Sequence, residues 1–168
     1  MHLYVWIKHF TFAAKKQETM IRFIADNVAM PKILTEKQQD LTQWIQYVAA
    51  SYGFTIGAIH YLLCDDTRIL QTNRQFLAHD YFTDIITFDY STSSTLTGDI
   101  FISLDTVQTN ALQIHEPFDR ELCRVLIHGI LHLTGQGDKT PETEQEMHQK
   151  EDKALMLLTD KFALTFAH

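Results

Sequence analysis

The stretch that decides the fold is Phe118-Asp119-Arg120-Glu121-Leu122-Cys123-Arg124-Val125-Leu126-Ile127-His128-Gly129-Ile130-Leu131-His132-Leu133-Thr134. After Arg124 it carries no fixed charge and is apolar on nearly every side, the pattern of a helix buried in a core. His128 and His132 stand four residues apart, which puts both imidazoles on one face, separated by about 6 Å of helix rise. Two imidazoles at that spacing can converge on one metal ion. Two core histidines satisfied by backbone or carboxylate partners have the same spacing. Beyond the helix, Gly135 suits a C-cap and Gly137 a sharp turn, so Asp138 can fold back over the helix end. Two histidines and a carboxylate with an open position for water form a catalytic rather than a structural metal site. A turn residue ahead of Thr140-Pro141 reads equally well at 138.

Working outward, the pattern predicts a strand over 20–26 and a helix capped by Thr35 that runs to Gly53, with Leu41, Trp44, Ile45, Val48 and Tyr52 on its core face. A second strand follows over 54–63. Asp65, Asp66 and Thr67 then offer capping oxygens to a helix ending near Leu77. Residues 83–90 form a β-branched and aromatic strand, 91–97 a polar loop and 98–103 a short strand. From Asp105 the signal is helical, with breaks at Pro117 and between Gly135 and Pro141. The order predicts one α+β domain, a mixed β-sheet packed with helices, built around a zincin-like metal-binding helix.

Length and composition set the outer bounds. The chain has 168 residues, 45% apolar and 21% charged, which suits one globular domain and excludes disordered or disulfide-rich classes. A net charge of −7 excludes general electrostatic capture of a polyanion, so nucleic-acid binding needs a local basic patch or a metal. Cys64 and Cys123 lie in apolar surroundings and read as buried free thiols. No apolar run reaches the ~18 residues of a membrane span, and the chain is expected to be soluble and cytoplasmic. Residues 1–19 lack the basic start and the long apolar run of a secretory signal. They read as a dispensable extension ahead of Met20, with the domain spanning 20–168.

The segment His128-Gly129-Ile130-Leu131-His132-Leu133-Thr134-Gly135-Gln136-Gly137-Asp138 resembles the signature of the YbeY family of bacterial rRNA-maturation endoribonucleases. Thr83-Asp84-Ile85-Ile86-Thr87-Phe88, Gly98-Asp99-Ile100 and the block from Asn73 to Phe76 resemble three further family motifs. The resemblance runs from about Met20 to the C-terminus. It implies a single-strand-specific, metal-dependent endoribonuclease that matures the 3′ end of 16S rRNA and serves late-stage ribosome quality control. A metal-activated water would hydrolyse the phosphodiester. The implied partners are single-stranded rRNA and the small ribosomal subunit, with no membrane and no DNA. The implied ligands are His128, His132 and, where the family usually has a third histidine, Asp138, holding one Zn2+, with Mn2+ or Fe2+ as alternatives.

Two departures from the family pattern matter. An aspartate ligand cuts the site charge from +2 to +1, predicting a less acidic bound water and a tilt toward harder ions. The family's arginine after the aromatic block is here Leu77; Arg74, one turn earlier, or His79 could reach the same space. Arg74 reads more readily as an exposed helix charge, as do Arg120 and Arg124. Gly129 occupies the place where H-E-x-x-H peptidases carry their glutamate base, which weakens a peptidase reading. A metallohydrolase of peptides or small molecules, a two-histidine–carboxylate iron oxygenase and a non-catalytic, metal-stabilised ribosome assembly factor are the alternatives. His60 is expected to pack or hydrogen-bond in its strand, His115 and His148 to lie at the surface, and Trp44 and the phenylalanines to fill the core.

Overall fold

The computed structural model describes residues 20–77 and 83–167. The reading of 1–19 as an extension and the suggestion of His79 fall outside those residues. Four strands, β1 (Met20–Ala25), β2 (Thr55–Cys64), β3 (Ile85–Asp89) and β4 (Thr95–Ser103), form one sheet in the order β1-β2-β4-β3. β1 and β4 run parallel to β2, and β3 returns antiparallel to β4 as an edge strand. Six helices surround it: α1 (Lys32–Glu36), α2 (Gln38–Ser51), α3 (Asp66–Leu77), α4 (Leu104–Gln113), α5 (Phe118–Leu133) and α6 (Pro141–Phe162). The predicted α+β domain with a mixed sheet is what forms.

The period of two in the strands sorts side chains between the faces. Ile59, Tyr61 and Leu63 of β2 join Ile100 and Ile102 of β4 in the main core with α2, α5 and α6, all fully buried. The other face carries a smaller cluster of Cys64, Ile69 and Ile86, flanked by Phe88 and Phe101. Helix α5 is the central strut. Leu122, Leu126, Ile127, Ile130 and Leu131 have no exposed surface, and each contributes roughly 1.5–3 kcal/mol by leaving water. Polar atoms drawn inside find partners: Trp44 Nε1 donates to the Ala154 carbonyl at 2.8 Å, and Tyr61 Oη to the Leu126 carbonyl at 3.0 Å.

Three local expectations are corrected. Thr35 does not cap a long helix. Pro31, with its φ of −57°, starts α1 earlier, the Thr35 hydroxyl donates back to the Lys32 carbonyl at 2.9 Å, and the chain breaks at Lys37 before α2. The polar loop over 91–97 is shorter, because Tyr90 N–H donates to the Thr97 carbonyl at 2.8 Å and Thr92 N–H to Thr95 at 2.9 Å, extending β4 back to Thr95. Phe76 is 57% exposed rather than core; it meets Phe88 edge-on at 5.5 Å. Among the described residues no helix is long and apolar enough to cross a membrane.

Candidate metal centre

Burial of α5 is what brings its histidines to a fixed place. Gly129 lies on the sheet side of the helix, where a Cβ would sit 3.0–3.1 Å from Ile100 and Ile85 side-chain atoms. A glutamate at that position would be driven into the sheet, so the H-E-x-x-H base has no room here. His128 and His132 emerge beside it with ring centroids 4.4 Å apart and planes at 87°. Their side chains are 20% and 28% exposed.

The chain then turns sharply back. Gly135 adopts φ +93°, a left-handed conformation that favours glycine, and its N–H donates to the His132 carbonyl at 2.9 Å. Gln136 N–H reaches the Leu131 carbonyl at 3.1 Å. Thr140 caps α6 by accepting from Thr143 N–H at 3.2 Å, within a capping box with Pro141 in the first turn. Between these two caps Asp138 is folded over the end of α5. Its Oδ2 lies 3.5 Å from His128 Nε2 and 3.3 Å from His132 Nε2. One ligand atom from each of the three residues falls within 4.8 Å of the others.

The remaining ring nitrogens fix the protonation pattern. His128 Nδ1 donates to Glu151 Oε1 at 2.6 Å, and His132 Nδ1 to the Gln136 carbonyl at 2.9 Å. A carbonyl and a carboxylate only accept, so each Nδ1 carries a proton and, in the neutral ring, each Nε2 turns its lone pair toward Asp138. Three electron-rich atoms facing one another repel unless a proton or a cation lies among them. This donor set fits a divalent cation.

Glu151, 1% exposed, is the hub behind the histidines. Its Oε2 accepts from Arg124 Nη1 at 3.2 Å and from His148 Nδ1 at 3.1 Å. Arg124 is 19% exposed and also contacts Asp152 at 3.1 Å and Glu121 at 3.3 Å, so it is an internal strut and not the solvated helix charge expected. Burial opposes ionisation of Glu151, but the His128, His148 and Arg124 hydrogen bonds outweigh it and hold the carboxyl below its usual value. Burial likewise works against a charged His128, and Glu151, then Asp84 and Asp138, overcome it and raise its affinity for protons. His132 shifts the other way, through burial and the charge of His128. Asp84, raised by burial, completes the polar wall.

A cavity of about 310 Å³ lined by Thr83, Asp84, His128, His132, Asp138 and His148 opens at the triad. It shares Thr83, His132 and Asp138 with a second cavity of about 440 Å³ that runs along β3 past Asn73, Thr87 and Lys139. Arg74 is exposed on α3 and does not line either of these cavities. His60 hydrogen-bonds Asp99 at 2.9 Å, as expected of a strand histidine. Glu151 and Gln136 carried no reading in the sequence, and Arg124 only that of an exposed charge. For Glu151 there was a signal, a carboxylate within the apolar stripe of Met147, Ala154, Leu155 and Leu158.

A mixed four-stranded sheet, a buried histidine-paired helix and a carboxylate behind its cap make a single α+β domain whose one cluster of His128, His132 and Asp138, among the described residues, could hold a metal ion. The solution structure of TM1509 from Thermotoga maritima shares this fold, with a TM-score of 0.61 at 24% identity over 86% of this chain and 92% of that one. The family model described as Endoribonuclease YbeY matches residues 23–159. Endoribonuclease YbeY of Phocaeicola vulgatus is 52% identical over 83% of this chain and 99% of its own length. That of Bacteroides thetaiotaomicron is 51% identical over 82% and 98%. The chain belongs to the YbeY endoribonuclease family.

Proposed function

We propose that this protein is a metal-dependent endoribonuclease that cuts single-stranded RNA, acting in maturation of the 16S rRNA 3′ end and in late-stage ribosome quality control on the small subunit. The observation that carries the reading is the convergence of His128 Nε2, His132 Nε2 and an Asp138 oxygen on one point at a cleft floor, each imidazole with its Nδ1 already engaged. His128, His132 and Asp138 would hold the cation, Zn2+ or a harder ion such as Mn2+ or Fe2+. When bound it supplies a Lewis acid for a phosphoryl oxygen and lowers the pKa of water.

The chain's own residues do the rest. Glu151 and the Gln136 carbonyl keep both imidazoles in the tautomer that offers Nε2 outward. Lys139, beside Asp138, puts a positive charge in the larger cavity where a phosphate would lie, on a molecule otherwise acidic. A cavity of about 440 Å³ has room for one unstacked nucleotide, which a single strand gives up more readily than a duplex. Metal analysis of the purified protein, with cleavage of an unstructured RNA oligonucleotide before and after chelation, tests the proposal. His128→Ala and Asp138→Ala should each lose metal and cleavage together. A metal-replete Asp138→Ala variant with undiminished cleavage would remove Asp138 from the site, and wild-type protein inert toward RNA at any metal loading would end the nuclease reading.

A further inference from the structure

His148 was expected at the surface, and it is 60% exposed. Yet α6 carries its ring to the mouth of the same cavity of about 310 Å³ onto which His128, His132 and Asp138 open. Its Nδ1 lies 3.1 Å from Glu151 Oε2, while the other oxygen of that carboxylate holds His128 Nδ1 at 2.6 Å. One buried carboxylate therefore anchors two imidazoles, one for the cation and one beside it. With Nδ1 engaged, Nε2 is the atom left to exchange a proton. It lies 3.9 Å from a Glu144 oxygen, and Glu144 lines the same cavity. An imidazole oriented by a buried carboxylate at the edge of a reaction cleft has the geometry of a general acid–base group.

We propose that His148 is a further catalytic residue, the general acid that protonates the leaving ribose oxygen. The inference rests on the endoribonuclease reading above. In the step, a water oxygen forms a bond to phosphorus and the bond from phosphorus to the ribose oxygen breaks. That oxygen takes the proton of His148 Nε2, and the proton shed by the attacking water returns through solvent to restore the imidazolium. Glu151 holds the ring in place from behind. The charged and titratable groups around it are Glu144 and Glu151 on α6, Arg124 on α5 through Glu151, and Asp84, His128, His132 and Asp138 across the cavity.

The test compares two leaving groups at matched metal content. His148→Gln should slow cleavage of an RNA oligonucleotide by about a hundredfold or more, the usual range for a lost general acid. The same variant should hydrolyse uridine 5′-(p-nitrophenyl phosphate) within about threefold of wild type, since nitrophenolate leaves without a proton. Free imidazole should restore part of the RNA cleavage of His148→Ala. Equal losses on both substrates, no loss on either, or a fall in bound metal would overturn the assignment. Wild-type protein inactive on both substrates would be seen before any substitution and would remove the nuclease reading with it.

Discussion

Replacing Glu151 by glutamine tests the buried hub most directly. The side chain is 2% exposed, so solvent screens its contacts little, and it accepts from His128 at 2.6 Å, His148 at 3.1 Å and Arg124 at 3.2 Å. Glutamine keeps the volume and one carbonyl acceptor, enough for His128 Nδ1. Its amide then turns N–H groups toward Arg124 and His148, which are themselves donors. Removing one partner of a buried pair costs about 3–5 kcal/mol. Arg124 retains Asp152 and Glu121, so the lower end applies, ~3 kcal/mol. For a domain of this size each kcal/mol moves Tm by roughly 2–4 °C, which gives a fall of about 6–12 °C. Asp152→Asn is the control: its carboxylate is 61% exposed and contacts the same arginine, so the cost should stay below about 1 kcal/mol. Because Glu151 orients a candidate ligand, metal affinity by chelator competition should also fall about 10–100-fold. Equal melting shifts for the two variants, with unchanged metal affinity in Glu151→Gln, would refute the reasoning.

In metal-free protein, the raised His128 contributes stability that is full below its unfolded pKa, near 6.5, and is lost as pH rises through the higher folded value. The depressed Glu151 contributes stability present above about 4.3 and lost as pH falls through its lower folded value. Glu151→Gln should flatten the alkaline fall in a Tm–pH series recorded with chelator present; an unchanged fall would disconnect His128 from Glu151. Burial pushes the Cys64 thiol up to about 12, helped by Asp65 and Asp26, and raises Cys123 as well. Iodoacetamide at pH 8 should therefore leave both intact in the folded protein and label both in denaturant, and labelling at similar rates in the two states would contradict their burial. Gly98→Ala should cost about 1–3 kcal/mol, because its Cβ would lie 2.5 Å from the Phe88 carbonyl oxygen. Gly57→Ala meets the Thr97 and Thr95 side chains first and should cost less in a denaturant titration, the reverse order counting against the close β3–β4 approach.

What could be read from the sequence follows from the range of the interactions involved. Helix α5 was legible because one residue pattern, uncharged and apolar past Arg124, admits one environment, and the four-residue spacing fixes both imidazoles on one side. The chain could be expected to turn at Gly135 because the left-handed region there belongs to glycine. Strand order was not legible: β1 and β4 flank β2 through pairings dozens of residues apart, and nothing local specifies them. The Thr35 cap failed through a local contest in which Pro31 opened the helix first. Arg124 failed for a longer-range reason. Read along its own helix it is one more charge, and only α6, which supplies Glu151 and Asp152, makes it a strut. The same contact explains why a carboxylate stands in α6's apolar stripe at all. An uncompensated charge there would cost several kcal/mol, so Glu151 implied a buried cation or donor opposite it before any fold was known. The donors it meets are Arg124 and the backs of His128 and His148, and this ties the stability of the α5–α6 interface to the orientation of the imidazoles at the cleft.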